Sequence, residues 1–222
     1  MTNSINDFLK NKVLNEKLKE LSQLPSFNKR INFCKNNFEY ICGGTARKVF
    51  GINENFVLKL AYNEKGLAQN EVENDFYLQG LSFVNKIHDS CSNGSWLIFD
   101  RVKTFKSKKQ LKNNIEKSLG LDFESFINIL EVKDKYTSGN NSEHSSFMDC
   151  YRKIEEKNEK DFNENREDFL DMLGNTDLMC GDFTRFSSWG LDNNNQLKLV
   201  DYGLSKEVFK EYYKTKKNKL MY

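Results

Sequence analysis

Histidine is nearly absent from this chain of 222 residues: His88 and His144 are the only two, and they stand far apart. A zinc hydrolase or a His-based triad therefore has little to draw on. Proline occurs once, at Pro25, and no apolar run approaches the roughly 20 residues of a membrane span. The opening residues, Met1 to Asp7, lack the basic stretch and apolar core of a signal peptide. The five cysteines (Cys34, Cys42, Cys91, Cys150 and Cys180) are odd in number and form no Cys-x-x-Cys. That argues for reduced thiols in a cytoplasm and against a disulfide framework or zinc site. Neither sign of charge dominates: 34 Lys and Arg against 32 Asp and Glu leave +2, too little to argue for a nucleic-acid partner. What is present, 38% hydrophobic and 30% charged residues, reads as a globular chain of one domain or two small lobes.

Apolar positions Ile5, Phe8, Leu9, Val13, Leu14, Leu18 and Leu21 predict a helix over 4–24, opened by Ser4 and Asp7 and stopped at Pro25. It reads as a helix docked on a core, and a second helix is expected over 27–36. The stretch 38–61 reads as strand, Gly43-Gly44 turn, strand, tight turn at 51–55, then strand. Glycines at that turn let backbone N–H groups come close to phosphates, although such a turn also suits a plain hairpin. Lys59 interrupts the apolar strand Phe56-Val-Leu-Lys-Leu-Ala61, where alternation puts Val57, Lys59 and Ala61 on one face. It reads either as an edge lysine that blunts aggregation or as a phosphate ligand. A buried lysine needs an anion, and a helix predicted over 65–81 offers Glu71 and Glu73. Strands over 83–89 and 95–102 complete a small antiparallel sheet, and helices are expected over 107–117, 123–136 and 146–173.

The strand Leu197–Val200 ends in Asp201-Tyr202-Gly203. A carboxylate at a strand end, followed by a residue with no Cβ, suits a metal-phosphate site as well as an ordinary turn.

In that order these segments resemble a protein kinase: residues 39–102 its N-terminal lobe, residues 180–205 its catalytic and metal-binding segments. The glycine pattern G-x-G-x-x-G-x-V, anchored on Val49, falls on Cys42, Gly44 and Arg47, so the middle glycine and the valine are kept. The resemblance implies that Gly43, Gly44, Val49 and Lys59 bind ATP, and that Glu73, with Glu71 as alternative, pairs with Lys59. Cys180-Gly181-Asp182 is similar to the H-G-D of small-molecule phosphotransferases, with cysteine for histidine. It implies Asp182 as the base that accepts the proton of the attacking hydroxyl. Asp201, 19 positions on, is implied as the Mg2+ ligand. The family's metal-binding asparagine is absent: a strict count lands on Ser187, while anchoring on Trp189-Gly190 selects Ser188, the expected ligand. No arginine stands beside Asp182 as in H-R-D.

The run Asn63-Glu-Lys-Gly-Leu-Ala-Gln-Asn-Glu-Val-Glu73 is also similar to small kinase-like proteins of bacteriophages, which implies host cytoplasm or a virion as the location. The expected fold is α+β and two-lobed: an N-terminal helical extension (1–38), a sheet-bearing lobe (39–102) and a truncated helical lobe (103–222). The implied activity is ATP- and Mg2+-dependent phosphoryl transfer to a protein hydroxyl. Two alternatives stand beside it: a pseudokinase that binds a host or structural protein, and a small-molecule phosphotransferase. Neither nucleic acid nor membrane is an expected partner.

Overall fold

The computed structural model describes residues 12–214. Two helices come first, α1 (Lys12–Gln23) and α2 (Phe27–Asn37), the latter capped by Ser26, whose hydroxyl accepts from the N–H of Lys29. The expected positions Ser4, Ile5, Asp7, Phe8 and Leu9 lie outside the described residues. Then follow β1 (Glu39–Gly43), β2 (Arg47–Gly51) and β3 (Phe56–Ala61), α3 (Glu64–Glu73) and α4 (Phe76–Gly80), and β4 (Ile87–Ser90) and β5 (Trp96–Asp100). These strands form one antiparallel sheet in the order β1-β2-β3-β5-β4.

The helical half carries β6 (Lys103–Thr104), α5 (Lys108–Leu119), α6 (Phe123–Thr137), α7 (His144–Lys160) and α8 (Glu164–Asn175). After two short 3-10 turns, Cys180–Thr184 and Phe186–Ser188, come β7 (Trp189–Leu191), β8 (Leu197–Leu199) and α9 (Lys206–Phe209). Strands β6, β7 and β8 make a second, three-stranded sheet. The class is α+β, with the element order that the kinase resemblance implies. Among the described residues, no helix is long and apolar enough to cross a membrane.

Alternation along β3 governs the packing. Phe56, Leu58 and Leu60 turn to the outer face, where Leu14, Leu18 and Leu21 of α1 and Cys34 of α2 cover them. Val57 belongs instead to the main core, which runs through the α5, α6 and α8 apolar faces to Trp189. All six β3 residues are buried, and β3 lies between β2 and β5, so Lys59 is not an edge lysine. The helix expected over 65–81 is broken in two. The Asp75 carboxylate accepts from the N–H groups of Tyr77 and Leu78 and starts α4 afresh.

Two contacts hold α3 and β8 in place. Gly66 lets α3 approach the β2–β3 region: a Cβ there would lie 2.3 Å from the Ala46 carbonyl oxygen. Strand β8 is fastened to the sheet half through Leu199 N–H to Phe83 O at 2.7 Å and Asn85 N–H to Leu199 O at 3.1 Å.

Candidate active site

Between the two halves lies a cleft of about 1260 Å³. Its roof is the β1–β2 hairpin. Gly43 and Gly44 line it with Val49, and Gly44 closes the turn by donating its N–H to Arg47 O at 2.9 Å. In β2 and β3, Val49 pairs with Lys59 and Arg47 with Ala61, so Arg47, Val49 and Lys59 share the cleft face.

Lys59 meets Glu73, not Glu71. Its ammonium donates to both Glu73 oxygens, at 3.0 and 2.8 Å, and to the Val200 carbonyl at 2.5 Å. An ammonium has three donors, and all three are engaged. Glu73 is wholly buried; Glu71 lies on the exposed side of α3. Glu73 also takes the N–H of Tyr202 at 3.2 Å, which joins α3 to the Asp-Tyr-Gly segment.

Arg47 completes this cluster, and sequence reasoning saw it only as a missing glycine. Its Nη2 donates to Asp201 Oδ1 at 2.7 Å, and its Nη1 lies 2.7 Å from Glu73 Oε2. The second contact is a buried ion pair, so Arg47 and Lys59 share Glu73. Burial pushes Glu73 up, but Arg47 and Lys59 outweigh it and hold the carboxyl below its ordinary value. Burial lowers Arg47, yet Glu73 and Asp201 raise it further, so the guanidinium stays charged. The signal that could have revealed Arg47 was the alternation that puts it on the same face as Lys59.

Asp201 leaves β8 into the cleft with its side chain half exposed. Behind it Tyr202 is buried: its hydroxyl accepts from Gln79 and donates to Asn85 O. Gly203 is a steric requirement, because a Cβ would sit 2.6 Å from the Gln69 carbonyl oxygen of α3. Gly203→Ala is expected to push residues 201–203 off α3 and lower stability by about 1–3 kcal/mol, read as a reduced urea midpoint.

The opposite wall carries Asp182, in the 3-10 turn Cys180–Thr184. Trp189 pins this turn: its indole N–H donates to Phe183 O at 2.7 Å, and its ring stacks on Phe83. Asp134 of α6, not anticipated from the sequence, accepts the N–H of Gly181 at 2.9 Å and lines the cleft. Burial raises the Asp182 carboxyl above its ordinary value; Arg185 opposes this, and Asp201 and Asp134 add to it. Arg185 Nη1 lies 3.2 Å from Asp182 Oδ1, so the basic neighbour absent at the preceding position is supplied three residues later. The Cys180 thiol is buried and pushed up to about 12 by desolvation, an inert group where H-G-D has histidine.

The two serines separate. Ser188 is buried and donates its hydroxyl to Asp182 O at 2.8 Å, outside the cleft lining, whereas Ser187 is exposed and lines the cleft. The expected ligand Ser188 is therefore a brace for the Asp182 turn. Ser187 is the one of the two on the cleft wall.

No protein-family model and no curated protein matches this chain. Among solved structures it is similar to a streptomycin–ATP–APH(2″)-IIa ternary complex: 14% identity, 88% of this chain, 84% of that chain, TM-score 0.37. It is also similar to a gentamicin–APH(2″)-IIa complex: 15% identity, 82% of this chain, 70% of that chain, TM-score 0.34. Likenesses this loose carry nothing about function.

Proposed function

We propose that this protein transfers the terminal phosphoryl group of ATP to a hydroxyl. The observation that carries the reading is the cleft itself: a buried Lys59–Glu73 pair, with Asp201 joined to it through Arg47, shares the cleft with Asp182 of the opposite wall. Such transfer needs positioning and charge neutralisation more than covalent chemistry. Asp182 takes the proton of the attacking hydroxyl, Val49 packs on the nucleotide, and the Lys59–Glu73 pair braces the wall beneath the Gly43–Gly44 turn, where the phosphates lie.

The donor set fits Mg2+ only together with a phosphate ligand. Among the described residues, no group of three or more His, Cys, Asp or Glu side chains is arranged to hold a metal alone. Asp201, with the Ser187 hydroxyl on the cleft wall, would hold the ion, which would neutralise phosphate charge.

For the acceptor, a small hydroxyl compound fits better than the protein hydroxyl that the kinase resemblance implied. The segment after Gly203 folds back on α3, where the Gln69 amide donates to the Tyr213 hydroxyl at 3.2 Å, and Phe209 and Tyr213 line the cleft. The pseudokinase reading draws on one observation, the ion pair of Arg47 with Asp201.

Transfer from γ-labelled ATP with magnesium, in a cell lysate, tests the reading with protein and small-molecule fractions counted separately. The expected result is label in the small-molecule fraction, lost with Asp201→Ala while circular dichroism shows the fold intact. Label confined to protein would restore the protein-kinase reading. Equal label from wild type and variant, or none from either folded protein, would end the assignment.

A further inference from the structure

We infer that Arg47 is a built-in cation at the phosphate end of the cleft, and that it makes nucleoside-triphosphate binding independent of divalent metal. The inference rests on the phosphotransferase reading of the cleft and adds what recognises the phosphates.

Three observations carry it. First, Lys59 is not free to grip phosphate, since its three donors go to the two Glu73 oxygens and the Val200 carbonyl. Second, Arg47 has donors to spare: a guanidinium carries five N–H groups, its two anionic partners here are Glu73 and Asp201, and the residue lines the cleft at the foot of the glycine turn. Third, Arg47 already neutralises the carboxylate that a metal would otherwise neutralise, through Nη2 to Asp201 Oδ1 at 2.7 Å.

Charge decides the consequence. Lys59, Glu73 and Asp201 alone carry one net negative charge, which attracts a divalent cation and repels a free triphosphate. With Arg47 the four side chains are neutral, so the first preference falls and the second penalty goes. A planar guanidinium with a spare N–H also suits phosphate oxygens better than a point charge does. Magnesium then matters for transfer and little for binding.

The test is ATP affinity by titration calorimetry on the full chain, in magnesium and in EDTA, for wild type, Arg47→Met and Arg47→Lys. Wild type is expected to bind within about threefold in the two buffers. Arg47→Met removes a charge-assisted phosphate contact and should lose at least about tenfold in EDTA, with magnesium recovering most of it. Arg47→Lys keeps the charge and should stay near wild type in EDTA. Should Arg47→Met not fold, the wild-type comparison and Arg47→Lys still decide. Wild-type binding that weakens more than tenfold in EDTA would overturn the inference alone, as would folded Arg47→Met binding like wild type there. Absence of ATP binding by folded wild type in both buffers would overturn the phosphotransferase reading, and the inference with it.

Discussion

Asp182→Asn is expected to slow phosphoryl transfer by about 10²–10⁴-fold, the usual contribution of a positioned general base, while ATP affinity stays near wild type. The amide keeps the shape and polarity of the side chain but accepts no proton. The same carboxylate should set the acid limb of the rate. Burial raises Asp182 above the ordinary carboxylate range, so activity should rise with pH through that raised value. Arg185 opposes the shift, and Arg185→Ala should move the limb higher still. The linkage sign keeps folding and chemistry apart. A carboxyl whose folded pKa is raised binds more protons folded than unfolded, so its contribution to stability falls as pH rises through that window. Asp182→Asn should thus be at least as stable as wild type at neutral pH. An unchanged acid limb in Arg185→Ala, with an unchanged rate in Asp182→Asn, would remove Asp182 from the chemistry.

The second large effect falls on stability. Glu73 is fully buried and is the shared counter-ion of Lys59 and Arg47. Glu73→Ala strands the buried Lys59 ammonium, leaves Arg47 with Asp201 alone, and is expected to cost about 3–5 kcal/mol, read by urea denaturation with the slope checked for two-state behaviour. Adding Lys59→Met to Glu73→Ala should recover part of the loss, because one stranded charge goes; a strictly additive double variant would refute the coupling. The pH sign is opposite to that of Asp182. Arg47 and Lys59 hold Glu73 below its ordinary carboxyl value despite burial, so its stabilisation is present above the ordinary value of 4.5. That contribution is lost as pH falls through the depressed one.

Legibility in the sequence tracks the range of each interaction. The β1–β2–β3 meander was legible because glycines and a strict two-residue alternation are local. The Lys59–Glu73 pair was legible because one charge in an apolar strand demands a partner, and the helix expected over 65–81 offered the glutamates Glu71 and Glu73. The break before α4 was hidden: Leu67, Val72, Phe76 and Leu81 mimic one continuous helix, yet Phe76 is 94% exposed and Asp75 caps a new turn. Arg47 was hidden for a different reason. Its partner Asp201 stands 154 positions away, and no local pattern links a hairpin to a strand end at that distance. Asp134 and the separation of Ser187 from Ser188 depended on how a loop folds against α6, which composition and periodicity do not encode.

Both faces of strand β3 are covered, one by α1 and α2 and the other by the main core. Hydrophobicity alone therefore gives little reason to prefer one alignment with β2 and β5 over its neighbour. Lys59 breaks the tie. A slip of one residue would turn its ammonium into the apolar cluster of Leu14, Leu18 and Leu21. The lysine thus acts as a keyed pin during assembly: it rejects the misaligned sheet. A chain with leucine at this place would lose the editing of its own fold together with its chemistry.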